Sequence, residues 1–303
     1  MGLKPALQRT PMATLWPGLL MAAVGAVAFS GKAIIAKLAY RHGVDAITLV
    51  MYRMLFALPL FLLLSLWASR GKAALERRDW WVVCGLGFSG YYLASTLDFL
   101  GLQYVSASLE RLILYLTPTL VLAMGVVLFK RRVTVRQLLA LAVSYGGVLL
   151  VFGQEITHVG PHALLGAALV FGSALSYAVY LVLSGEEVRR LGALRLTGLA
   201  STVACLLCLA QFAALRPLSA ALVAPEVIAL SLLNAVLCTF APVVLMMLAV
   251  ERIGATLAAQ TGMIGPMSTI GMSVLLLGEP FTAGLAAGTA LVVAGIWLLA
   301  TWR

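Results

Sequence analysis

The sequence predicts an all-α membrane protein of ten transmembrane helices, arranged as two inverted five-helix repeats. Three observations predict it: a scarcity of charge, the one-sided placement of the charge that remains, and an internal repeat. Of 303 residues, 62% are hydrophobic and only 11% charged, with a mean hydropathy of +1.04. A soluble domain carries roughly 25% charged residues, and so few could not cover a water-facing surface. Apolar runs of about 20 residues are what a bilayer core selects.

The first run, 14–39, follows Lys4 and Arg9 and is too long for the hydrophobic core of a secretory signal, so it reads as a retained spanning helix. Runs at 47–69, 80–102, 106–129 and 134–152 complete one set of five. Runs at 162–183, 195–214, 226–249, 255–277 and 282–302 make a second. The organisation expected is a cytoplasmic segment 1–13, a first repeat 14–152, an external linker 153–161 and a second repeat 162–303. With the N-terminus inside, fifteen Lys and Arg fall on the inner side (Lys4, Arg9, Arg70, Lys72, Arg77, Arg78, Lys130, Arg131, Arg132, Arg136, Arg189, Arg190, Arg195, Arg252, Arg303), and only Arg41 and Arg216 on the outer. The positive-inside rule then places both termini in the cytoplasm of a bacterial inner membrane. The same placement explains the net charge of +10 without nucleic acid as a partner, because the basic residues sit in short loops between apolar runs.

A shift of 148 positions superposes Ala107 on Ala255, Leu109 on Leu257, Pro118 on Pro266, Met124 on Met272, Leu128 on Leu276, Thr134 on Thr282 and Gly147 on Gly295. Five helices per repeat is an odd number, so the copies enter the membrane from opposite sides, as in many secondary transporters with a mid-membrane site at the repeat interface. In its duplicated five-helix unit, its proline-bearing helix before each half's last, and Leu277-Gly278-Glu279-Pro280 ahead of a Gly-rich final helix, the chain resembles the drug/metabolite transporter superfamily, EamA-like branch. Lys130-Arg131 replaces Gly-Glu in the first copy. Within that branch it looks most like the bacterial aromatic amino-acid exporters, a group also linked to organic-cation efflux. The resemblance implies export of amino acids, aromatic ones among them, by alternating access, with drug or organic-cation efflux as the alternative.

Catalysis lacks its minimum parts. His42, His158 and His162 have no metal-ligand spacing, and no zinc-protease, nucleophile-elbow or P-loop motif occurs. No enzyme, metal or cofactor is expected. Gly85-Leu86-Gly87-Phe88-Ser89-Gly90 spells a dinucleotide fingerprint, but within a spanning run it has no βαβ unit around it and reads as helix packing or a hinge. Cys205 and Cys208 have CxxC spacing in an apolar run without a second pair, which is the pattern of inert buried thiols.

Ionisable residues within spanning helices each cost at least about 2.5–3.5 kcal/mol at the bilayer centre. Lys32, Arg53, Asp98, Glu110 and Arg111 are kept there, all about 7–10 Å outside the midplane, where they can pair as a structural cluster or act as an outer gate or coupling site. Tyr91, Tyr92, Ser95, Tyr115, Thr117, Ser176, Tyr177, Tyr180, Asn234, Thr239 and Gln260 lie nearer mid-depth. Tyrosine belongs at the interface unless its hydroxyl finds a partner, so these read as a substrate-binding cavity. Pro118 and Pro266 read as paired mid-helix hinges that free backbone carbonyls for a substrate ammonium. The partners expected are a small-molecule substrate and the lipid bilayer; the oligomeric state stays open.

Overall fold

A computed structural model describes residues 12–129, 134–159, 162–262 and 264–301, which are helical apart from short links and contain no strand. Helices α1 (Met12–Tyr40) and α2 (Ala46–Ser69) are each long enough to cross a bilayer. Asp45 caps α2 with its carboxylate on the backbone N–H groups of Ile47 and Thr48, which supplies the start signal. The third run is three pieces in line: α3 (Arg77–Gly87), a π-helical segment Phe88–Leu93, and α4 (Ala94–Leu102). The fourth is broken, with α5 (Ala107–Leu114) capped by Ser106 and α6 (Thr117–Phe129) resuming after a turn at Tyr115 and Leu116.

In the second half, α8 (His162–Leu191), α9 (Ala193–Leu215), α10 (Pro225–Ala235), a π segment Val236–Phe240 and α11 (Ala241–Gly262) follow α7 (Val135–Val159). Then come α12 (Ile264–Met272), a third π segment Ser273–Leu277, and α13 (Ala283–Thr301). Seven described helices are long and apolar enough to span a membrane, and Ile264–Leu277 and Ala283–Leu298 are shorter apolar helices. This is a multi-pass membrane protein. Helix α7 continues through Val159, into the segment expected as a linker.

Between Ile253 and Gly265 the chain reverses its direction along α1. Pro242 and Leu245 lie opposite Gly25 of α1, Ile253 lies opposite Gly18, and Gly265 accepts a hydrogen bond from Ser30. Ala22, Ala249 and Ala258 share one buried apolar cluster there.

Packing repeats at the interval seen in the sequence. The π segments at Phe88 and Val236 begin 148 residues apart. Helix α2 lies along α9 and α7 along α13. In the second pair, a Cβ on Gly288 would sit 2.7 Å from the Gly147 carbonyl oxygen, and one on Gly295 would sit 2.7 Å from that of Ala140. Adding 148 to Ala140 and Gly147 gives Gly288 and Gly295, so each contact is the other with the helices exchanged. Small residues let spanning helices approach this closely. Among the glycines at 85–90, Gly87 packs 2.6 Å from the Ala200 carbonyl oxygen by the same measure and Gly90 faces the Tyr180 ring, while Gly85 meets nothing within 4 Å.

Replacing Gly147 by Leu therefore overpacks the α7–α13 crossing, at a cost of about 1–3 kcal/mol or more. Thermal unfolding in detergent is expected to show a clear drop for Gly147→Leu and none for Gly85→Ala. Equal behaviour of the two would contradict the packing reading.

Candidate functional site

The five intramembrane charges are buried together near one end of the bundle. Lys32 on α1 is 6% exposed, Asp98 on α4 2% and Glu110 on α5 fully buried. The Lys32 ammonium bonds the Asp98 carboxylate and lies 3.3 Å from Glu110 Oε1. Arg111 Nε lies 4.0 Å from Glu110 Oε2, and its Nη2 donates to the Phe29 carbonyl at 3.4 Å. Arg53 on α2 donates to Ser95 Oγ at 2.8 Å, with its guanidinium 4.5 Å from the centre of the Phe99 ring. Asn234 of α10, fully buried, donates to the Lys32 backbone carbonyl at 3.2 Å and brings the second half of the chain to the cluster. Asp98 Oδ1, both Glu110 carboxylate oxygens, Arg53 Nε, Arg111 Nε and Asn234 Oδ1 are buried without a directed hydrogen bond.

The polar residues expected to line one cavity fall into separate groups. Tyr91, in the first π segment, packs edge-on to Tyr180 of α8 with ring centres 5.1 Å apart and hydroxyls 3.2 Å apart. Tyr177 stacks on Tyr180 at 5.6 Å and is 37% exposed. Tyr92 turns to Phe88, whose ring centre is 5.4 Å away. Ser95 and Asn234 belong to the charge cluster, and Tyr115 sits in the break between α5 and α6 against a second apolar cluster. The side chain of Gln260 lies outside the described residues, as do those of His158, Lys130, Arg131 and Arg132.

Pro118 corrects an expectation. It stands in the first turn of α6, just after the turn at Tyr115 and Leu116, where a missing N–H removes no intrahelical bond. The carbonyl four residues before Pro118, that of Leu114, is taken by Thr117 Oγ1 at 2.6 Å and is not free for a ligand. Beside Pro266, buried in α12, the Gly265 carbonyl accepts from Ser30 Oγ at 2.7 Å. No cluster of His, Cys, Asp or Glu among the described residues has metal-binding geometry, and Cys205 and Cys208 are buried free thiols.

The model of the EamA-like transporter family matches residues 16–153 and again 164–301. The chain belongs to the EamA-like transporter family. The two matches are offset by 148 at both ends, the interval of the helix contacts. The uncharacterized transporter YcbK of Bacillus subtilis is 32% identical over 267 residues, covering 86% of each chain. An uncharacterized transporter of Archaeoglobus fulgidus is 26% identical over 156 residues, 52% of this chain and 51% of that one. A solved crystal structure shares the fold with a TM-score of 0.63 at 16% identity, covering 93% of this chain and 95% of its own.

In this EamA-like transporter both ends of the bundle are closed by contacts between halves, made by residues the sequence reading left aside. At one end Gly278 turns the chain at φ +73, and Glu279 then places its carboxylate on the start of α5. It accepts from the N–H groups of Ala107 at 2.8 Å and Ser108 at 3.3 Å and from the Ser108 hydroxyl at 2.7 Å. A carboxylate there meets unpaired donors and the positive end of the helix dipole. Arg41 donates to the Leu277 carbonyl at 2.8 Å, and Arg216 pairs with Asp45 at 3.2 Å. A cavity of about 180 Å³ adjoins Glu279, Ser106 and Gln154.

At the other end Arg190 of α8 bonds Asp79 of α3 and, at 2.8 Å, Glu187, while Arg195 donates to Ser69 Oγ at 3.1 Å and to the Ala73 carbonyl at 2.9 Å. A cavity of about 330 Å³ lies among Lys72, Asp79, Arg190 and Arg195. The signal available in the sequence was the Gly-Glu-Pro of 278–280, a turn that delivers a carboxylate; nothing local marks Asp79 as Arg190's partner.

The Glu76 backbone N–H, 2.9 Å away, and the Arg190 guanidinium hold the Asp79 carboxyl below its usual value of 3.8. A depressed carboxyl contributes stability that is full above the unfolded value and is lost as pH falls through the folded one. The drop in unfolding temperature caused by Asp79→Asn should therefore be constant above pH 3.8 and shrink below it. A drop that persists unchanged well below pH 3.8 would contradict the ion-pair account.

Proposed function

We propose that this EamA-like transporter exports amino acids, aromatic ones among them, and related small metabolites from the cytoplasm by alternating access. The observation that carries the proposal is the buried cluster of Lys32, Arg53, Asp98, Glu110 and Arg111, met by Asn234 from the other half. A substrate with an ammonium and a carboxylate finds both kinds of host there, and intramembrane ionisable residues mark substrate or ion pathways. The aromatic surfaces of Tyr91, Tyr92, Tyr177 and Tyr180 lie on a π segment and the helix against it, and π segments recur at functional sites.

The architecture that goes with this reading is ten spans in two inverted repeats, 14–152 and 162–303, in a bacterial inner membrane with both termini cytoplasmic. Supporting it are the two family matches 148 residues apart, the exchange-related glycine contacts of α7 and α13, and the reversal of the chain along α1 between Ile253 and Gly265. With both ends bridged between halves, alternating access consists of releasing the Glu279 contacts or the Asp79–Arg190 contacts, one set at a time. The carboxylates of Asp98 and Glu110, with oxygens outside any directed hydrogen bond, also favour a second reading, efflux of organic cations.

Counterflow in liposomes separates the two. Labelled phenylalanine should accumulate when the vesicles are loaded with unlabelled aromatic amino acids. Exchange of organic cations with no exchange of amino acids would replace the first reading by the second. Topology has its own check: in a background without the native cysteines, Phe281→Cys should react with an impermeant thiol reagent from outside and Lys72→Cys only from the cytoplasm. Labelling of both from one side would reject the inverted arrangement.

A further inference from the structure

The buried cluster does not balance. It holds three cations, Lys32, Arg53 and Arg111, against two carboxylates, Asp98 and Glu110. The surplus resides on Arg53. Lys32 touches both carboxylates and Arg111 has Glu110 at 4.0 Å, but among the described residues no carboxylate comes within ion-pair distance of Arg53. Its guanidinium, 3% exposed, has only the Ser95 hydroxyl and the Phe99 ring, and its Nε has no partner. A buried guanidinium without a carboxylate in ion-pair distance is unfavourable at this depth.

We propose that Arg53 receives the carboxylate of the transported molecule, so that the cargo is a carboxylate-bearing organic compound, zwitterionic or anionic, and not a simple cation. The proposal rests on the transport reading above and narrows its substrate. The free Nε and the adjacent Nη of a guanidinium form a planar fork that matches a carboxylate with two parallel hydrogen bonds. One such group brings the cluster to neutrality.

For a zwitterion, the ammonium has acceptors nearby in Asp98 Oδ1 and Glu110, which lack directed hydrogen bonds. The Phe99 ring joins the two hosts, with its centre 4.5 Å from the Arg53 guanidinium and 6.0 Å from the Lys32 ammonium. The second half offers no equivalent: 148 residues beyond Arg53 stands Ser201, buried, its hydroxyl also without a partner. The fold thus has one carboxylate subsite, formed by the first half and closed from the second by Asn234 on the Lys32 backbone.

The test uses the full chain in liposomes, with labelled phenylalanine counterflow competed by phenylalanine, 3-phenylpropionate, phenylalaninamide and phenethylamine. The first two should compete at least about tenfold better than the last two, the factor that one charge-assisted contact supplies. Arg53→Gln should erase that preference, and Arg53→Lys should restore it in part. Because Arg53→Gln removes an unpaired buried charge, its unfolding temperature should not fall below that of the native protein, which separates lost binding from lost fold. Phenethylamine competing as well as phenylalanine, or Arg53→Gln keeping the carboxylate preference, would overturn the proposal.

Absence of any amino-acid counterflow in the native protein would refute the amino-acid reading, and the role of Arg53 is then decided by ligand-induced melting shifts. There, 3-phenylpropionate should raise the unfolding temperature of the native protein and leave Arg53→Gln unmoved. Equal shifts in the two proteins, or none in either, would overturn it.

Discussion

The Lys32 ammonium, buried between Asp98 and Glu110, is the contact on which the rest of the structure depends. Water is not available to neutralise a charge at that depth, so each ionised group must find its counterpart inside the bundle or leave its helix out of place. Three helices, α1, α4 and α5, are joined at that point, and α10 is added by the bond from Asn234 to the Lys32 carbonyl. Phe29 and Phe99 close over the cations from two sides. Breaking one member of a buried pair typically costs about 3–5 kcal/mol because the other is left unpaired, a large share of the stability of any single fold.

Around that fixed point, apolar packing contributes little selectivity, since lipid tails compete on equal terms with Leu and Val. Close approach at small residues does more, and the α7–α13 crossing is where it is clearest: glycine and alanine at matching positions let backbone meet backbone twice, once in each direction. The bundle ends are held differently, by charge-assisted contacts at the water boundary. They are unequal. Glu279 caps α5 at one end, whereas the position 148 residues before it is Arg131, a cation that cannot accept from N–H donors. The two ends are thus closed by different kinds of contact.

Much of this was legible in the sequence, because lipid imposes a one-dimensional code: hydropathy gave a multi-pass helical chain, the spacing of Pro118 and Pro266 and of Gly147 and Gly295 gave the 148-residue interval, and depth alone brought Lys32, Asp98 and Glu110 to one level. Depth says nothing of direction around the helix. Tyr91 and Tyr92 are neighbours in sequence and share a level, yet one meets Tyr180 and the other Phe88. The π segments that set those directions have no local sequence signature, since their extra residue is accommodated by packing on the opposite helix. Pro118 misled for a related reason. A proline in an apolar run looks internal, but a turn at Tyr115 and Leu116 ends the helix first and leaves Pro118 at a start position where it costs nothing. Glu279 was visible as part of a motif and invisible as a cap, because its partners lie 171 and 172 residues away.

The central claim, that the Lys32 ion pair holds α1 and α4 together inside the membrane, is tested most directly by a double-mutant cycle on thermal unfolding in detergent. Lys32→Met and Asp98→Leu should each lower stability by several kcal/mol, roughly the 3–5 expected for an orphaned buried charge. The double variant should recover most of that loss, because neither charge remains unpaired and the coupling is far from additive. Losses that simply add in the double variant would show that the two residues act independently and would contradict the account.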